Sequence, residues 1–458
     1  MIKKILLFMN FIQIISFIYL LVIKYSFQKP EVLKIPFKTK TLTSKDSITN
    51  LHLLTKNYIY TEIKIGNNKQ KIPVSLKLQS YPIYFISEDL NTNYKFNYKQ
   101  SSSFEIIETE EIQTSGIEDF TLSIKSKDKI SVDSISEKFI FLLAKNLTTN
   151  KDFYFGGQIG FELQNEGPSK INNINFMTQL KENNLIPNKI FSICYNSNEK
   201  GEIIIGDFLH NYNSKYDYQY FVKTHCHIDE EYTLWEILFN NINYGNNSIK
   251  GNHYGLFKIE LRGIVGPTSL LRILNESFFD EYVKNNQCFF QEILDENNMY
   301  RYNGYYCKNN INIKSMKNIQ FFNKDYNYTF ELNPNELFIK NNNLYFFLIY
   351  FDHYPTDNWI LGKTFLKKYQ FTFDMEGKTI GFYININENG KNFYGKTSNF
   401  STIALIFCII IIIGLVMFIF FYLRKRQFKK RNANELDDDF SYIPKNDKIT
   451  KLINGIEN

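Results

Sequence analysis

The residue types that most often carry chemistry are concentrated in a few places. Four acidic residues share one short stretch of the first third of the chain, at Glu105, Glu108, Glu110 and Glu111. His225, Cys226 and His227 stand together near the middle, but no Cys-x-x-Cys pair accompanies them. Zinc sites usually draw on such pairs or on clustered histidines. We therefore predict no metal and no cofactor.

Two further segments repeat one order of residues. Val74–Ser80 is an apolar strand that ends in a short turn, and Gln158-Ile159-Gly160 follows it much later. Gly263–Ser269 and Ile360-Leu361-Gly362 repeat that order in the second half. Two copies of one folding unit would explain the repeat.

The elements around these segments read as sheet. Short alternating or fully apolar runs bounded by turn residues predict strands. The predicted strands are Tyr58–Ile65, Ile72–Leu78, Ile83–Ile86, Phe104–Ile107, Phe120–Ile124, Phe139–Leu143, Glu202–Ile205, Ile259–Val265 and Leu344–Tyr350. Helical patterns are scarce, and Asn175–Asn183 and Leu270–Lys284 fit best. The fold class is therefore mainly β.

Apolar runs at both ends predict membrane targeting. Residues 1–25 combine Lys3 and Lys4 with an apolar run, which indicates a signal peptide or a retained signal anchor. Ser401–Leu423 has no charged residue and is long enough to cross ~30 Å of hydrocarbon as one helix. Basic residues follow at once, so residues 424–458 are predicted to be a cytoplasmic tail. We expect a type I single-pass protein of the secretory pathway or cell surface, with the membrane as its partner.

The region between the apolar runs carries features of a lumenal protein. Sequons that could accept glycans lie at Asn146, Asn246, Asn275, Asn327 and Asn399. Cys288 and Cys307 lie in one loop-rich stretch and are predicted to form a disulfide, which leaves Cys194 and Cys226 as a second pair. The net charge of +6 is spread along the chain apart from the basic cluster after the span, so we predict no nucleic-acid partner.

In their order along the chain, these segments resemble the pepsin-like (eukaryotic) aspartic peptidases. Tyr58–Gly66 resembles the strand that opens the first lobe of that family, and Ile72–Ser87 has the length and apolar frame of the stretch around its first Asp-Thr-Gly-Ser. Gly263–Leu271 resembles the second Asp-Thr-Gly-Thr-Ser-Leu-Leu. Further similar segments are Phe155–Phe161, Ile190–Cys194, Gly201–Gly206, Leu234–Ile237, Trp359–Gly362, Phe365–Leu366, Phe373–Asp374 and Ile380–Phe382.

The resemblance implies a bilobed fold with a cleft between two pseudo-symmetric β lobes. We expect the first lobe at residues 50–214 and the second at 215–390, after a prosegment or linker at 26–49. A juxtamembrane linker at 391–400 would lead into the transmembrane helix. Possible ligands of the cleft are a peptide or a protein.

The resemblance also implies that the catalytic residues are missing. Family members share one proton between two close carboxylates to activate a water. Lys77 stands at the first aspartate position with Leu78 and Gln79 after it, and only Ser80 of the motif is kept. At the second position Gly266-Pro267 stands where Asp-Thr-Gly is expected. We therefore predict no catalytic residue, and name the cleft and flap candidates as Ser80, Glu108, Glu110, Pro267, Thr268 and Ser269.

Several alternatives stay open from the sequence. The acidic stretch corresponds to the family's flap, where an acid could reach Lys77 and plug the cleft, or the hairpin could simply be solvated. The main hypothesis is an inactive homologue with a peptide- or protein-binding cleft. The others are an endopeptidase that uses non-standard acids such as Asp119 or Glu260, and a structural surface protein with a collapsed cleft.

Overall fold

Several strands are built from alternating apolar residues, as the first one illustrates. In β1, Leu33–Lys40, the side chains of Leu33, Ile35 and Phe37 are buried and the residues between them are exposed. The computed structural model describes residues 32–40, 55–113, 120–147, 155–163, 174–227, 234–294, 300–341, 343–352, 358–384, 417 and 419–426. The mainly β class predicted from the sequence is confirmed.

The elements are as follows. The strands after β1 are β2 Tyr58–Ile65, β3 Gln70–Lys77, β4 Tyr84–Ile86, β5 Glu105–Gln113, β6 Phe120–Val132, β7 Ile135–Leu147, β8 Gly157–Gly160, β9 Ile190–Tyr195, β10 Lys200–Ile205, β11 Phe221–His225, β12 Glu236–Tyr244, β13 Asn247–Phe257, β14 Ile264–Gly266, β15 Cys288–Leu294, β16 Tyr300–Lys308, β17 Ile319–Asn323, β18 Tyr328–Leu332, β19 Phe338–Asn341, β20 Leu344–Phe347, β21 Ile349–Phe351, β22 Trp359–Leu361, β23 Thr372–Asp374 and β24 Thr379–Tyr383. The helices are α1 Phe176–Glu182, α2 Leu209–Tyr212, α3 Thr268–Leu274, a π turn Asn275–Phe279, α4 Asp280–Lys284, α5 Pro334–Leu337 and α6 Lys363–Tyr369, with 3₁₀ turns at Tyr98–Gln100, Tyr218–Tyr220 and Ile313–Ser315.

The strands form two sheets. The first has the order β11-β24-β23-β9-β10-β1-β2-β3-β8-β4-β7-β6-β5, so the last two strands of the fold join strands from the first half of the chain. The second has the order β18-β17-β12-β13-β22-β14-β21-β16-β20-β19, with β15 paired to β16. Antiparallel pairs dominate, but β3–β8, β4–β7, β13–β22 and β14–β21 are parallel.

An aromatic cluster joins the two halves in the core. The Phe191 and Phe373 rings stack at 4.9 Å, and Trp235 packs edge-on against both at 5.8 and 5.1 Å. All three side chains are fully buried, and the Trp235 indole N–H donates 2.7 Å to the Phe161 carbonyl. Because these residues come from both halves, the core is continuous between them.

The segment 26–49, predicted as a prosegment or linker, contains β1, which pairs with β10 and β2, and its role as a prosegment or linker stays a prediction. Ile259–Val265 was predicted as one strand, but Lys258–Gly263 is a loop and β14 begins at Ile264. The predicted helix at Asn175–Asn183 is confirmed, with the Asn175 side chain accepting 3.1 Å from the Thr178 N–H as an N-cap.

A second compact unit comprises Tyr394–Asn458, and its described residues, Met417 and 419–426, are helical. Most of the predicted span Ser401–Leu423 lies outside the described residues. Among those that are described, no helix combines the length and the apolar character needed to span a membrane.

Candidate functional site

Lys77 is the last residue of β3, and main-chain pairing fixes its position. β3 runs parallel to β8, and Lys77 lies opposite Gly160. The Lys77 carbonyl accepts a hydrogen bond of 2.8 Å from the Phe161 N–H, and its side chain is partly buried. Lys77 therefore stands where a strand ends and the turn to Ser80 begins.

Two glycines allow chain segments to approach closely. Gly160 lies against the turn Lys77–Ser80, and Gly362 lies against the loop Lys258–Gly263. A Cβ atom on Gly160 would lie 1.9 Å from the Ser80 carbonyl oxygen. A Cβ atom on Gly362 would lie 2.2 Å from the Gly263 oxygen and 2.4 Å from the Leu261 oxygen. Since any side chain would collide with backbone there, only glycine fits either place. The repeat seen in the sequence therefore has a packing cause.

Strand registers show which residue of the second half corresponds to Lys77. In the first sheet β3 is parallel to β8, and Lys77 lies opposite Gly160. In the second sheet β13 is parallel to β22, and Phe257, the last residue of β13, lies opposite Leu361. The position opposite Gly362 therefore belongs to the residue after Phe257. That residue is Lys258. Lys258 therefore occupies in the second half the position that Lys77 occupies in the first.

The following strands support the same correspondence. Tyr84 in β4 pairs antiparallel with β8, and Val265 in β14 pairs antiparallel with β22. β4 and β14 each also pair with a parallel strand, β7 and β21. Val265 follows Lys258 by as many residues as Tyr84 follows Lys77. The two halves thus share one register without an insertion or a deletion across this stretch.

The sequence-based choice of Gly266 as the counterpart of Lys77 is wrong. Gly266 ends β14 and corresponds to Phe85 in β4, while Pro267 caps the helix that follows. Thr268–Leu271 has the residue types of the family motif Thr-Ser-Leu-Leu but forms the first turn of α3. The similarity is therefore one of residue types alone, since the motif lies in a turn and these residues lie in a helix. Thr268 and Ser269 lie in that helix, so in the shared register they are not the counterparts of the residues that follow Lys77.

A hydrogen bond joins the first turn, Lys77–Ser80, directly to the start of the second turn, Lys258–Gly263. The Gln79 side-chain amide donates 2.7 Å to the carbonyl oxygen of Phe257, the residue before Lys258. Glu260 is the counterpart of Gln79, but a carboxylate cannot donate such a bond. Within the described chain, the Glu260 Oε2 atom is buried and has no hydrogen-bond partner. The two turns therefore meet, but not symmetrically.

The turn after Lys258 is held by a segment of the first half. Asn57 is fully buried; its side-chain amide donates 2.9 Å to the Ile259 carbonyl, and its N–H donates 2.8 Å to the Glu260 carbonyl. The Arg262 N–H donates 2.7 Å to the Thr55 carbonyl. These bonds satisfy backbone groups that would otherwise be buried without partners. They also explain why Lys258–Gly263 is a loop rather than a strand.

Glu162 lies beside the turn Lys77–Ser80, and its carboxyl group is in an unusual environment. Its N–H donates 3.2 Å to the Ser80 carbonyl. Burial raises the pKa of the Glu162 carboxyl to about 7, because the charged form loses water there. Nothing local in the sequence distinguishes Glu162 from a surface acid.

The acidic stretch predicted as a flap forms β5, paired with β6. The Glu108 carboxylate accepts 2.8 Å from the buried Lys125 ammonium. The Glu105 carboxylate pairs with Lys138, and this ion pair holds the pKa of Glu105 below its usual value. These two acids are thus engaged by lysines of β6 and β7 and not by Lys77. Glu110 has a contact of its own, and residues 114–119, with Asp119, lie outside the described residues.

Ser80 is the residue whose carbonyl oxygen lies against Gly160. Its hydroxyl oxygen accepts a hydrogen bond from the buried Gln158 side-chain amide. Gln158 lies on β8, so this bond ties the turn after Lys77 to the neighbouring strand. Ser80 therefore has a structural role in the turn.

The model of the eukaryotic aspartyl protease family matches residues 57–383, a range that includes both turns and both close-approach glycines. The chain belongs to the eukaryotic aspartyl protease family. No curated protein matches the sequence.

Within this family member the cysteines do not all pair as expected. The Cys288–Cys307 disulfide is confirmed and joins β15 to β16. The pairing of Cys194 with Cys226 is wrong, because both are free and buried. Cys194 lies in β9 against Tyr216, whereas Cys226 follows β11 and its N–H donates to the Lys378 carbonyl. Burial raises the pKa of each thiol to about 12.

The sequons occupy different settings. Asn146, Asn246 and Asn327 are exposed at the end of β7 and in turns. Asn275 is partly buried in the π turn, where its side-chain oxygen accepts a hydrogen bond from the Tyr305 hydroxyl. Asn399 lies outside the described residues. Glycosylation at all five sites stays a prediction.

Proposed function

We propose that this protein is a proteolytically inactive, membrane-anchored member of the family whose cleft binds a peptide segment with acidic residues. The single observation that carries the proposal is the equivalence of Lys77 and Lys258 in the shared register. By resemblance, Lys77 stands at the first aspartate position of the family. Its counterpart is then the second such position, and it is also a lysine.

Two lysines cannot replace the paired carboxylates chemically. One carboxylate of the pair must take a proton from water while its protonated partner polarises the scissile carbonyl. An ammonium group has three donors and no acceptor, so it cannot act as that base. Replacement of both acids removes the two halves of the mechanism together.

The surrounding frame supports retention of a binding cleft between two lobes. The close approaches at Gly160 and Gly362 fix the two turns against their neighbouring strands, and the Gln79–Phe257 hydrogen bond joins the turns to each other. Extended peptides can bind such clefts through main-chain hydrogen bonds, which need no catalytic acids. Two cationic side chains at equivalent positions favour carboxylates in the bound segment.

The membrane anchor and the side of the membrane are part of the proposal. Its support is the uncharged run Ser401–Leu423 and the basic residues that follow it. Phe420–Leu423, at its end, are helical with exposed apolar side chains. A secretory or cell-surface location with a lumenal or extracellular peptidase-like region follows from that orientation.

The deciding experiment is a cleavage assay. The full chain in detergent is incubated with an unfolded protein substrate between acid and neutral pH, with and without pepstatin. We expect no cleavage that pepstatin suppresses. Pepstatin-sensitive cleavage by the wild type would contradict the proposal, and its persistence in a Lys77→Ala, Lys258→Ala variant would favour an endopeptidase using other acids.

A second candidate has one specific observation in its favour. Glu260 follows Lys258 closely, and its Oε2 atom is buried without a partner in the described chain. If cleavage is found, Glu260→Gln and Glu162→Gln identify which non-standard acid carries it. Glu111→Gln, at an exposed acid of β5, is the matched control.

A further inference from the structure

A large polar cavity lies away from the two turns. Its volume is about 710 Å³, within the range of small-molecule sites. The walls come from the β9–β10 turn at Asn198, from the loop before β14 at Arg262, from α5 and β19, and from α6. It shares no lining residue with Lys77–Ser80 or Lys258–Glu260.

The cavity is strongly cationic. Its basic lining residues are Arg262, Lys340, Lys363, Lys367 and Lys368, and its acidic ones are Glu199 and Glu336. Glu336 is already engaged, because it pairs with Lys368 at 2.8 Å and accepts 2.7 Å from the Asn333 N–H. One exposed acid, Glu199, thus faces the remaining four cations.

Arg262 is a cation without a counter-ion at the cavity wall. Three hydrogen bonds fix its backbone. The Arg262 N–H donates to the Thr55 carbonyl, and the Arg262 carbonyl accepts from both the N–H and the hydroxyl of Thr364. Across the described residues, no hydrogen bond or ion pair reaches its guanidinium. Burial lowers the pKa of the guanidinium accordingly. A partly desolvated cation of this kind costs stability unless an anion joins it.

Lys363 adds a buried cation beside the partly buried Arg262. Its side chain is only 9% exposed, and its ammonium donates to the Thr39 hydroxyl and to the Asn198 carbonyl. Burial and the nearby charges of Arg262 and Lys367 lower the pKa of Lys363 to about 8. Both of its hydrogen-bond partners are neutral, so the charge itself is not neutralised by them.

We propose that this cavity is a binding site for a small polyanion bearing two or more phosphate groups. An anion would supply the charge that Arg262 and Lys363 lack. The planar guanidinium of Arg262 suits bidentate binding of a phosphate. Lys340 and Lys367 lie on other walls, which favours a ligand with more than one anionic group. The side-chain amides of Asn333 and Asn335 add neutral donors.

The test uses the full chain in detergent and isothermal titration calorimetry with tripolyphosphate at constant ionic strength. We expect the wild type to bind tripolyphosphate and Arg262→Gln to bind it at least about tenfold more weakly, because the replacement removes a hydrogen-bonded charge pair. Arg272→Gln, at an exposed arginine of α3 outside the cavity, is the matched control and should bind like wild type.

Two further arms complete the design. Lys340→Gln changes an exposed rim residue, so it keeps the test decisive if Arg262→Gln does not fold. Vesicles with and without phosphatidylinositol bisphosphate show whether a lipid headgroup is the source of the phosphates, and binding that requires Arg262 supports the site in either arm. Absence of binding to both probes, or equal weakening by Arg262→Gln and Arg272→Gln, overturns the proposal.

Discussion

The side-chain amide of Gln79 donates a hydrogen bond of 2.7 Å to the main-chain oxygen of Phe257. Gln79 follows Lys77 in the first turn, and Phe257 precedes Lys258 in the second. The bond therefore joins two turns that lie far apart in the chain but at equivalent places in the two halves.

Replacement of Gln79 by leucine should destabilise the fold. The change leaves the Phe257 carbonyl without its donor in a partly buried place, which costs about 1–3 kcal/mol. Urea denaturation of the full chain in detergent measures the free energy of unfolding. Gln219→Leu, at an exposed glutamine, should change it little. An equal effect of both variants would show that the bond between the turns does not matter.

The sequence predicted the elements better than it predicted the site. Tyr58–Ile65 matches β2 residue for residue, because strict alternation of buried and exposed positions is a local signal. The loop Lys258–Gly263 was missed because its hydrogen bonds come from Thr55 and Asn57, and no local pattern reveals a contact over such a separation. Its apolar residues looked like a strand.

Lys258 itself could have been found from the sequence. Lys77-Leu78-Gln79 and Lys258-Ile259-Glu260 share the order cation, apolar residue, amide or acid, and Val265 follows Lys258 by as many residues as Tyr84 follows Lys77. Similarity of Thr268–Leu271 to a known motif outweighed this internal repeat. The cationic cavity could not be inferred, since Arg262, Lys340 and Lys363 are brought together only by the tertiary fold.

Glu162 predicts a pH dependence of stability. Its pKa is raised from 4.5 to about 7 in the folded protein, so the folded state holds a proton that the unfolded state has lost between these values. Stability should therefore fall as pH rises from about 4.5 to 7, by up to about 3 kcal/mol from this group. Glu162→Gln should remove that part of the slope.

The measurement is the free energy of unfolding at several pH values for wild type, Glu162→Gln and Glu111→Gln. Only the first replacement should flatten the pH dependence, because the Glu111 side chain is exposed. Parallel curves for wild type and Glu162→Gln would mean that Glu162 ionises normally in the folded protein.

The free thiols predict a pattern of chemical labelling. Cys194 and Cys226 are buried, and the pKa of each thiol is raised to about 12, so neither should react with a maleimide in the native protein. A Cys408→Ser variant removes the remaining thiol. Mass spectrometry should then find no label on the native chain, two after denaturation, and four after denaturation with reduction. If the denatured, unreduced chain takes up no label, Cys194 and Cys226 are oxidised after all.

Lys77 and Lys258 predict a preference of the proposed cleft for acidic peptides. Each ammonium can form a charge-assisted hydrogen bond with a carboxylate, and the loss of one such bond weakens binding about tenfold. A fluorescent library of extended peptides, measured by polarisation against the full chain in detergent, should favour acidic over neutral members. Lys77→Gln and Lys258→Gln should each reduce that preference, and the double replacement should abolish it. Lys250→Gln, at an exposed lysine of β13, is the control and should leave it intact. Binding of acidic and neutral peptides with equal affinity would rule out the two lysines as the recognition element, and no binding of any peptide would favour a structural role for the whole region.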